Sequence, residues 1–297
     1  MKKRFFVALG AISIVVAGML VVACTPDVAN SPDVQVNEVV QRAPAVSEQA
    51  SEDAWADFNA QVEALNAKYT SQSRAQIEPV GNLRELVVFQ RVVYADARGG
   101  LLGENYSTAN NATPNNGLGT IISVAALQSC IEYYYFKDTL EMDTTDNDFT
   151  IWIRSTNLIT DLTPVSNPCI EIGKRHNELV SYMVNNNYTI AGKSRPQIFR
   201  EFVEAYEQLY TPMTTAYKQR LLTQAIYDRV PILNSNVTTA NENYKNTTTQ
   251  MSIPSMRNYT NEYIQIVDGA SLSTVEKTQM SLFACIAYYS SCLWIVQ

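Results

Sequence analysis

Residues 273–293 read STVEKTQMSLFACIAYYSSCL and predict one long helix. Ser273 and Glu276 have the spacing of a capping box, in which each side chain bonds the backbone N–H of the other residue. After this start, apolar residues recur three or four positions apart and cover one broad face. That face consists of Val275, Leu282, Cys285, Ile286, Tyr289, Cys292 and Leu293. We therefore predict that this helix is a buried core element.

Other stretches of the chain repeat this three-and-four spacing. They predict helices at 51–69, 83–98, 117–136, 168–184, 194–226 and 255–268, with Pro212 breaking or kinking the fifth. Segments rich in asparagine and threonine, at 104–116 and 231–254, are predicted to be loops, and alternation over 149–156 favours a short β-hairpin. The sequence thus predicts a mainly α fold, an irregular bundle of about seven helices with long loops.

The first residues of the chain have the organisation of a secretory signal. Basic residues 2–4 precede an uncharged apolar run over 5–23, and the small residue Ala23 stands directly before Cys24. The competing interpretation is a plain transmembrane helix, since about 20 apolar residues can span a bilayer. Either interpretation leaves the remainder of the chain outside the cytoplasm, because the basic flank stays inside.

This signal sets the predicted domain organisation. Residues 1–23 would be a signal peptide, and residues 24–50 a flexible tether, polar and interrupted by prolines. Residues 51–297 would form a single α-helical domain, which is long enough to bury a sizeable core.

The Ala23-Cys24 junction resembles a bacterial lipobox. Cys24 is the only cysteine in the first 129 residues, and the chain turns polar directly after it. The resemblance implies cleavage before Cys24 and attachment of fatty acyl chains, such as palmitate, to its sulfur and its new amino group. The membrane would then be a partner through lipid on Cys24. We expect a lipoprotein of the cell envelope, held in the outer membrane on its periplasmic or its surface side.

The composition of the mature chain excludes some partners. Removing the three basic residues at 2–4 from a total of 22 leaves 19, against 29 acidic residues. A chain this acidic, with no long basic run, is a poor ligand for nucleic acid, so we expect none. We also expect no cofactor, and a further partner would be a protein or a glycan.

Four cysteines follow Cys24, and their redox state stays open at the level of sequence. An exported protein can form disulfides, and four cysteines allow three pairings. Two of them, seven residues apart on one helix, would have Cα atoms about 10.5 Å apart, whereas a disulfide needs roughly 7 Å or less. The alternative is four buried thiols. The residues concerned are Cys130, Cys169, Cys285 and Cys292.

His176 is the only histidine and the one weak catalytic candidate. A lone histidine does not make an ordinary multi-histidine zinc or di-iron site. As a general base it would need an orienting partner, and Glu171 and Glu178 are the carboxylates nearest in sequence. Because His176 lies on the apolar face of its helix, we favour a buried, hydrogen-bonded structural histidine.

Two further patterns are weak site candidates. Asp143, Asp146 and Asp148 cluster as in a calcium loop, but the glycine that such a loop needs at its turn is missing. The glycine-rich residues 99–103 follow no predicted strand and match no phosphate-binding fingerprint. Close helix packing is the favoured role of these glycines.

Four short features lie along the chain. They are Trp55…Leu65-Asn66, Ala95-Asp96 before Gly99-Gly100, Gly173-x-x-His176-Asn177, and a final Ser/Thr-x-Glu-Lys helix ending in Tyr-Ser and Trp294. With these features the chain is similar to uncharacterised lipoproteins and exported proteins of Bacteroidota. The resemblance implies no known activity. It implies a structural role for the His-Asn pair, with the histidine bonding a neighbouring loop and the asparagine holding a backbone turn.

Three functions follow from these observations. The favoured one is a membrane-anchored lipoprotein that acts as a binding or envelope-interaction module rather than an enzyme. The second is a hydrolase- or lyase-type enzyme that uses His176 with a carboxylate. The third is a toxin-immunity or bacteriocin-related protein, which only the glycine-rich helical hairpin at 95–119 favours.

Overall fold

A computed structural model describes residues 50–76, 83–137, 161–163, 167–249 and 251–294. These residues are mainly helical and include no strand or sheet, which confirms the predicted mainly α fold. They form nine α-helices and one short 3-10 turn, at Ile226–Asp228. The α-helices are α1 Glu52–Gln76, α2 Leu83–Ala109, α3 Pro114–Lys137, α4 Pro168–Asn185, α5 Arg195–Leu209, α6 Thr215–Leu222, α7 Ser235–Thr248, α8 Ile253–Gly269 and α9 Thr274–Leu293.

Helix α9 is the centre of the bundle, as its sequence predicted. It contacts α2, α4, α7 and α8, and every residue from Gln279 to Trp294 is buried. The predicted capping box is present, because the Ser273 side chain accepts from the Glu276 backbone and the Ser273 backbone donates to the Glu276 carboxylate. A helix buried on all sides is expected to be apolar all round. Here small serines fill the remaining positions at 281, 290 and 291.

Helices α2 and α3 pack closely because glycine lines their contact. A Cβ atom on Gly99 would lie 2.7 Å from the carbonyl oxygen of Val124, and one on Gly103 would lie 2.6 Å from the Cα atom of Ile121. Neither position leaves room for a side chain. The packing role predicted for these glycines is therefore confirmed, and the glycine-rich segment is the interior of a helix rather than a phosphate-binding loop.

The loop predicted at 104–116 is wrong, since α2 continues to Ala109 and α3 begins at Pro114. The polar side chains that indicated a loop bond within the helix instead. Ser107 Oγ donates to the Gly103 carbonyl at 2.7 Å, and Thr108 Oγ1 donates to Glu104 Oε1 at 3.1 Å. Burial of Tyr106 and Ser107 then favours the helix over the local preference of these residues for turns.

The loop predicted at 231–254 is also wrong, because it contains α7 and the start of α8. The Asn234 side chain caps α7 by accepting from the backbone of Val237 at 2.7 Å. The buried face of α7 contains few apolar residues. Its helical spacing is therefore hard to recognise among the asparagines and threonines. That face consists of Val237, Ala240, Asn241, Tyr244 and Thr248.

Three predictions concern residues outside those described. The β-hairpin at 149–156, the aspartates Asp143, Asp146 and Asp148, and the signal and tether at 1–49 all lie there. In the described part of the chain, no helix combines the length and the apolar character needed to cross a membrane.

Candidate functional site

His176 faces Asp96 in the centre of the bundle. The Nε2 atom of His176 lies 2.9 Å from Oδ1 of Asp96, and both side chains are fully buried. At this distance a protonated imidazole ring and the carboxylate form a buried ion pair. Asp96 comes from α2 and His176 from α4, so this pair joins two helices that are far apart in sequence.

Asn177 determines which nitrogens of His176 carry protons. Its Nδ2 atom donates to the Tyr289 carbonyl at 2.7 Å, which leaves Oδ1 facing Nδ1 of His176 at 2.9 Å. A carbonyl oxygen can only accept, so Nδ1 must be protonated. The carboxylate beside Nε2 favours a second proton there. The arrangement therefore stabilises His176 as a cation.

The other carboxylate oxygen of Asp96 binds α9. Its Oδ2 atom accepts from Ser290 Oγ at 2.5 Å and from Trp294 Nε1 at 3.4 Å. Gly173 allows α4 to approach α9 this closely, since a Cβ atom there would lie 2.5 Å from the Tyr289 ring. The buried charge pair and its neutral partners thus hold α2, α4 and α9 in one arrangement.

Two opposing effects act on the pKa of His176. Burial lowers this pKa, but the charge of Asp96 and the hydrogen bonding to Asp96 and Asn177 outweigh burial and raise it above the usual value. The pKa of the nearby Cys130 thiol is raised as well, but here burial and the charge of Asp96 act in the same direction. These effects favour the protonated imidazolium form of His176 and the protonated thiol form of Cys130.

Asp96 is the residue that sequence reasoning missed as the partner of His176. The carboxylates nearest in sequence point elsewhere: Glu171 pairs with Arg175 at 2.7 Å, and Glu178 accepts from the hydroxyl of Tyr210. The available signal was a single acid between Ala95 and Ala97 on a helix with a wide apolar face. A charged residue in such a place needs a buried partner.

The structural roles implied by the Bacteroidota resemblance need correction. His176 pairs with a helical residue rather than a loop, and Asn177 bonds the Tyr289 carbonyl of α9 rather than a turn of its own segment. The reason is that α4 packs directly against α9, so the His-Asn pair faces another helix.

The geometry leaves His176 no route to a substrate. Neither His176 nor Asp96 exposes any of its side chain. A general base must come within about 3 Å of the proton it removes, directly or through one water. In the described structure both side chains are therefore enclosed by the bundle, where they stabilise its fold.

The four cysteines of the domain are buried thiols, and none is part of a disulfide. Cys130 lies on α3, Cys169 on α4, and Cys285 and Cys292 on α9. Burial raises the pKa of Cys169 to about 12 and that of Cys285 well above the usual thiol value. The thiolate is the reactive form, so these thiols act as small apolar residues in the core.

No group of three or more histidines, cysteines, aspartates or glutamates within the described residues is arranged to hold a metal ion. The three aspartates weighed as calcium ligands are not among those residues. The Asp96–His176 pair offers no vacant ligand position, because its free atoms face Ser290, Trp294 and Asn177.

A second polar cluster lies at the start of α9, around the carboxylate of Glu276. Its Oε1 atom accepts from Asn234 Nδ2 at 2.9 Å and from Trp55 Nε1 at 3.3 Å, while Oε2 accepts from Ser273. Burial raises the pKa of Glu276, but the hydrogen bonds outweigh burial and hold it below the usual value. This carboxylate therefore joins the starts of α1, α7 and α9 at one end of the bundle.

Comparison with protein-family models, with curated proteins and with solved structures found no match for this chain. The account of function therefore depends on the residues and their geometry alone.

Proposed function

We propose that this chain is a lipid-anchored protein of the bacterial cell envelope, held in the outer membrane, whose helical domain binds a partner rather than catalyses a reaction. The observation that carries the proposal is Cys24 at the end of an uncharged run over 5–23 that follows three basic residues. One acyl chain binds a membrane only marginally, at about 0.8 kcal/mol per buried methylene. The two or three chains implied by a lipobox would hold the domain firmly.

The enclosure of the single histidine supports a binding role over an enzymatic one. A hydrolase or lyase of the kind considered above needs His176 beside an open cleft, with a carboxylate that orients it. Asp96 supplies such a carboxylate, but the pair is fully buried. The acids that sequence suggested as partners, Glu171 and Glu178, bond Arg175 and Tyr210 instead.

The toxin-immunity hypothesis rests on the glycine-rich helical hairpin alone, which α2 and α3 form. A packing role for Gly99 and Gly103 between these helices accounts for the glycines without a toxin-related function. A protein that binds through its surface needs no such feature. A binding module therefore remains the simplest function for a domain whose chemically reactive groups lie inside.

Intact-mass spectrometry and membrane fractionation test the anchor, with Cys24→Ser as the matched control. We expect the wild-type protein to lack residues 1–23, to carry the mass of acyl chains and to partition into detergent. The Cys24→Ser variant should keep an unmodified mass. An unmodified, full-length wild-type protein would contradict the proposal and indicate a plain transmembrane anchor.

The non-catalytic part of the proposal has its own test. Turnover of a substrate by the purified protein that His176→Ala abolishes, while circular dichroism and thermal unfolding show a folded variant, would contradict it. We expect no activity that depends on this residue.

A further inference from the structure

Three exposed apolar side chains lie at the end of the bundle where α7 and α9 begin. Val230 is 75% exposed and Ile232 66% exposed, and Val275 in the first turn of α9 is 37% exposed. We call Val230, Ile232 and Val275 the apolar tip. Within the described residues only one other large apolar side chain, Leu209, is comparably exposed. Exposed apolar groups gathered in one place mark a site of contact with a protein or a membrane.

The segment that carries Val230 and Ile232 is held in place rather than loose. The backbone N–H of Ile232 donates to Asn105 Oδ1 of α2 at 2.6 Å. The backbone N–H of Arg229, at the start of the segment, donates to the Ile226 carbonyl at 3.1 Å, and Asn234, at its end, caps α7 and bonds Glu276. Both ends of the segment are therefore fixed, and the two apolar side chains are exposed because the fold presents them.

The residues that precede α1 enter the domain at this same end of the bundle. Glu276, which accepts from Asn234, also accepts from Trp55 and bonds the backbone of Ala50. Ile232 is two residues from Asn234, a distance of at most about 7 Å along the chain. Ala50, where residues leading from Cys24 enter the domain, therefore lies close to the apolar tip.

We propose that the apolar tip inserts into the interfacial layer of the bilayer that holds Cys24. This inference rests on the lipid anchor proposed above. Residues 25–49 separate Cys24 from Ala50 in the sequence. The chain that follows the anchor therefore enters the domain at the end that carries the apolar tip, and this favours that end for contact with the lipid.

The charges near the tip indicate which lipid surface fits. Glu52 and Asp53, in the first turn of α1, are exposed beside the entry of the chain, and Arg229 is exposed next to Val230. Acidic side chains disfavour a strongly anionic surface. Zwitterionic headgroups, such as phosphatidylethanolamine, are therefore the expected contact, and apolar side chains rather than charge would supply the attraction.

The opposite end of the bundle supplies a matched control position. Cys169 lies against Thr278, and Asn177 against Tyr289, so α4 runs parallel to α9. Asn185, exposed at the end of α4, is therefore at the end of the bundle remote from the apolar tip. The length of α9, roughly 30 Å at 1.5 Å per residue, separates the two ends.

The test uses the full-length, acylated protein in vesicles of phosphatidylcholine and phosphatidylethanolamine. Ile232→Cys or Asn185→Cys is labelled in the native state with an environment-sensitive fluorophore, since the thiols of the domain are buried. The intact mass of each sample establishes acylation first. We expect the fluorophore at 232 to shift to the blue, to brighten severalfold and to be quenched by spin-labelled lipid, whereas that at 185 behaves as in water.

Equal, water-like emission at both positions of an acylated protein would overturn the insertion of the tip while leaving the lipid anchor intact. A missing acyl mass would overturn the anchor and the insertion together. A shift at 232 that grows with the ratio of protein to lipid would assign the tip to a second copy of the chain, and would also overturn the proposal.

Discussion

The buried Asp96–His176 pair, called the core pair from here on, and the apolar tip depart from the usual pattern of burial in opposite ways. Asp96 and His176 are charged groups with no exposed surface, while Val230 and Ile232 are apolar groups that are mostly exposed. Every polar atom of the Asp96 and His176 side chains has a partner on α2, α4 or α9 within 3.4 Å. The side chains of Val230 and Ile232 lie largely exposed at the surface instead.

This difference favours a structural role for the core pair and a contact role for the apolar tip. Buried charge is costly unless it is paired and hydrogen-bonded, and here those conditions are met inside one chain. Exposed apolar surface is unfavourable as well, but nothing within the described fold relieves it at the tip. The core pair is therefore complete within the fold, whereas the tip is available for contact with a further surface.

Breaking the core pair should produce the largest effect. Asp96→Leu leaves the His176 cation buried without its partner, and His176→Leu leaves the Asp96 carboxylate in the same position. We expect each change to lower the free energy of unfolding by about 3–5 kcal/mol, as for other broken buried pairs. Urea unfolding followed by circular dichroism measures this loss.

The double variant Asp96→Leu/His176→Leu sharpens that prediction. It removes both charges, so its cost should be well below the sum of the two single costs. Additive costs, or single costs under about 1 kcal/mol, would show that the two side chains do not form a coupled pair.

Filling the glycine contact between α2 and α3 should have the next largest effect. Gly103→Ala places a Cβ atom against the backbone of Ile121, which a side-chain rotation cannot relieve, so we expect a loss of about 1–3 kcal/mol. Gly269→Ala is the matched control, because no atom lies within 4 Å of its added Cβ. The control should be neutral or stabilising by roughly 0.4–1 kcal/mol. Equal losses at both positions would contradict close packing at Gly103.

The pH dependence of stability should show the protonated state of His176. Its pKa is raised in the folded protein, so the folded state binds the proton more tightly than the unfolded state. The resulting stabilisation is fully present below the unfolded pKa of about 6.5 and is lost as pH rises through the folded pKa. We expect unfolding free energy to fall between pH 6.5 and 8 by up to about 1.4 kcal/mol per unit.

His176→Gln should remove this slope. The pH range of this prediction ends at pH 8, because above it the cysteine thiols begin to ionise in the unfolded chain. Their pKa is also raised in the folded protein. An unchanged slope in the variant would show that another group titrates.

Changes at the apolar tip should have the smallest effect on stability. Val230→Ser and Ile232→Ser alter side chains that pack little against the fold, so we expect less than about 0.5 kcal/mol each in urea unfolding. Val237→Ser, on the buried face of α7, is the control and should cost far more. A loss at the tip as large as that of the control would mean that the tip is part of the core.

Strong periodicity made much of the fold predictable from sequence. The stripe of α1 and the broad face of α9 were predicted, and their apolar residues from Trp55 to Tyr69 and from Leu282 to Leu293 are buried. Val275, which was predicted on the same face of α9, is exposed because it lies in the first turn, before the buried part of the helix begins. The starts of α4 and α9 were predicted from Asn167-Pro168 and from Ser273 with Glu276. In these cases local preference and tertiary packing favour the same structure.

Residue composition predicted the wrong secondary structure where tertiary contacts override the local preference of the residues. Helix α7 contains the asparagines and threonines of a loop, yet burial of Tyr244 and Val237 keeps it helical. The core pair could not be predicted for a different reason. Asp96 and His176 are far apart in sequence, and only the packing of α2 against α9 and α4 brings them together.

The exposure of Val230 and Ile232 was equally hidden in the sequence. Both residues read as ordinary apolar positions within an interhelical segment. Their exposure follows from the bond between Ile232 and Asn105 of α2, which fixes the segment on the outside.

The most direct test of the account is nuclear magnetic resonance of His176 in the full-length protein in detergent, labelled with nitrogen-15 at histidine. Because it is the only histidine, one pair of ring signals suffices. We predict that both ring nitrogens are protonated at pH 7.5 and that their protons exchange slowly with water. A neutral ring that titrates near its usual pKa of about 6.5 and exchanges rapidly would contradict the account, because His176 would then be open to solvent and able to act as a base.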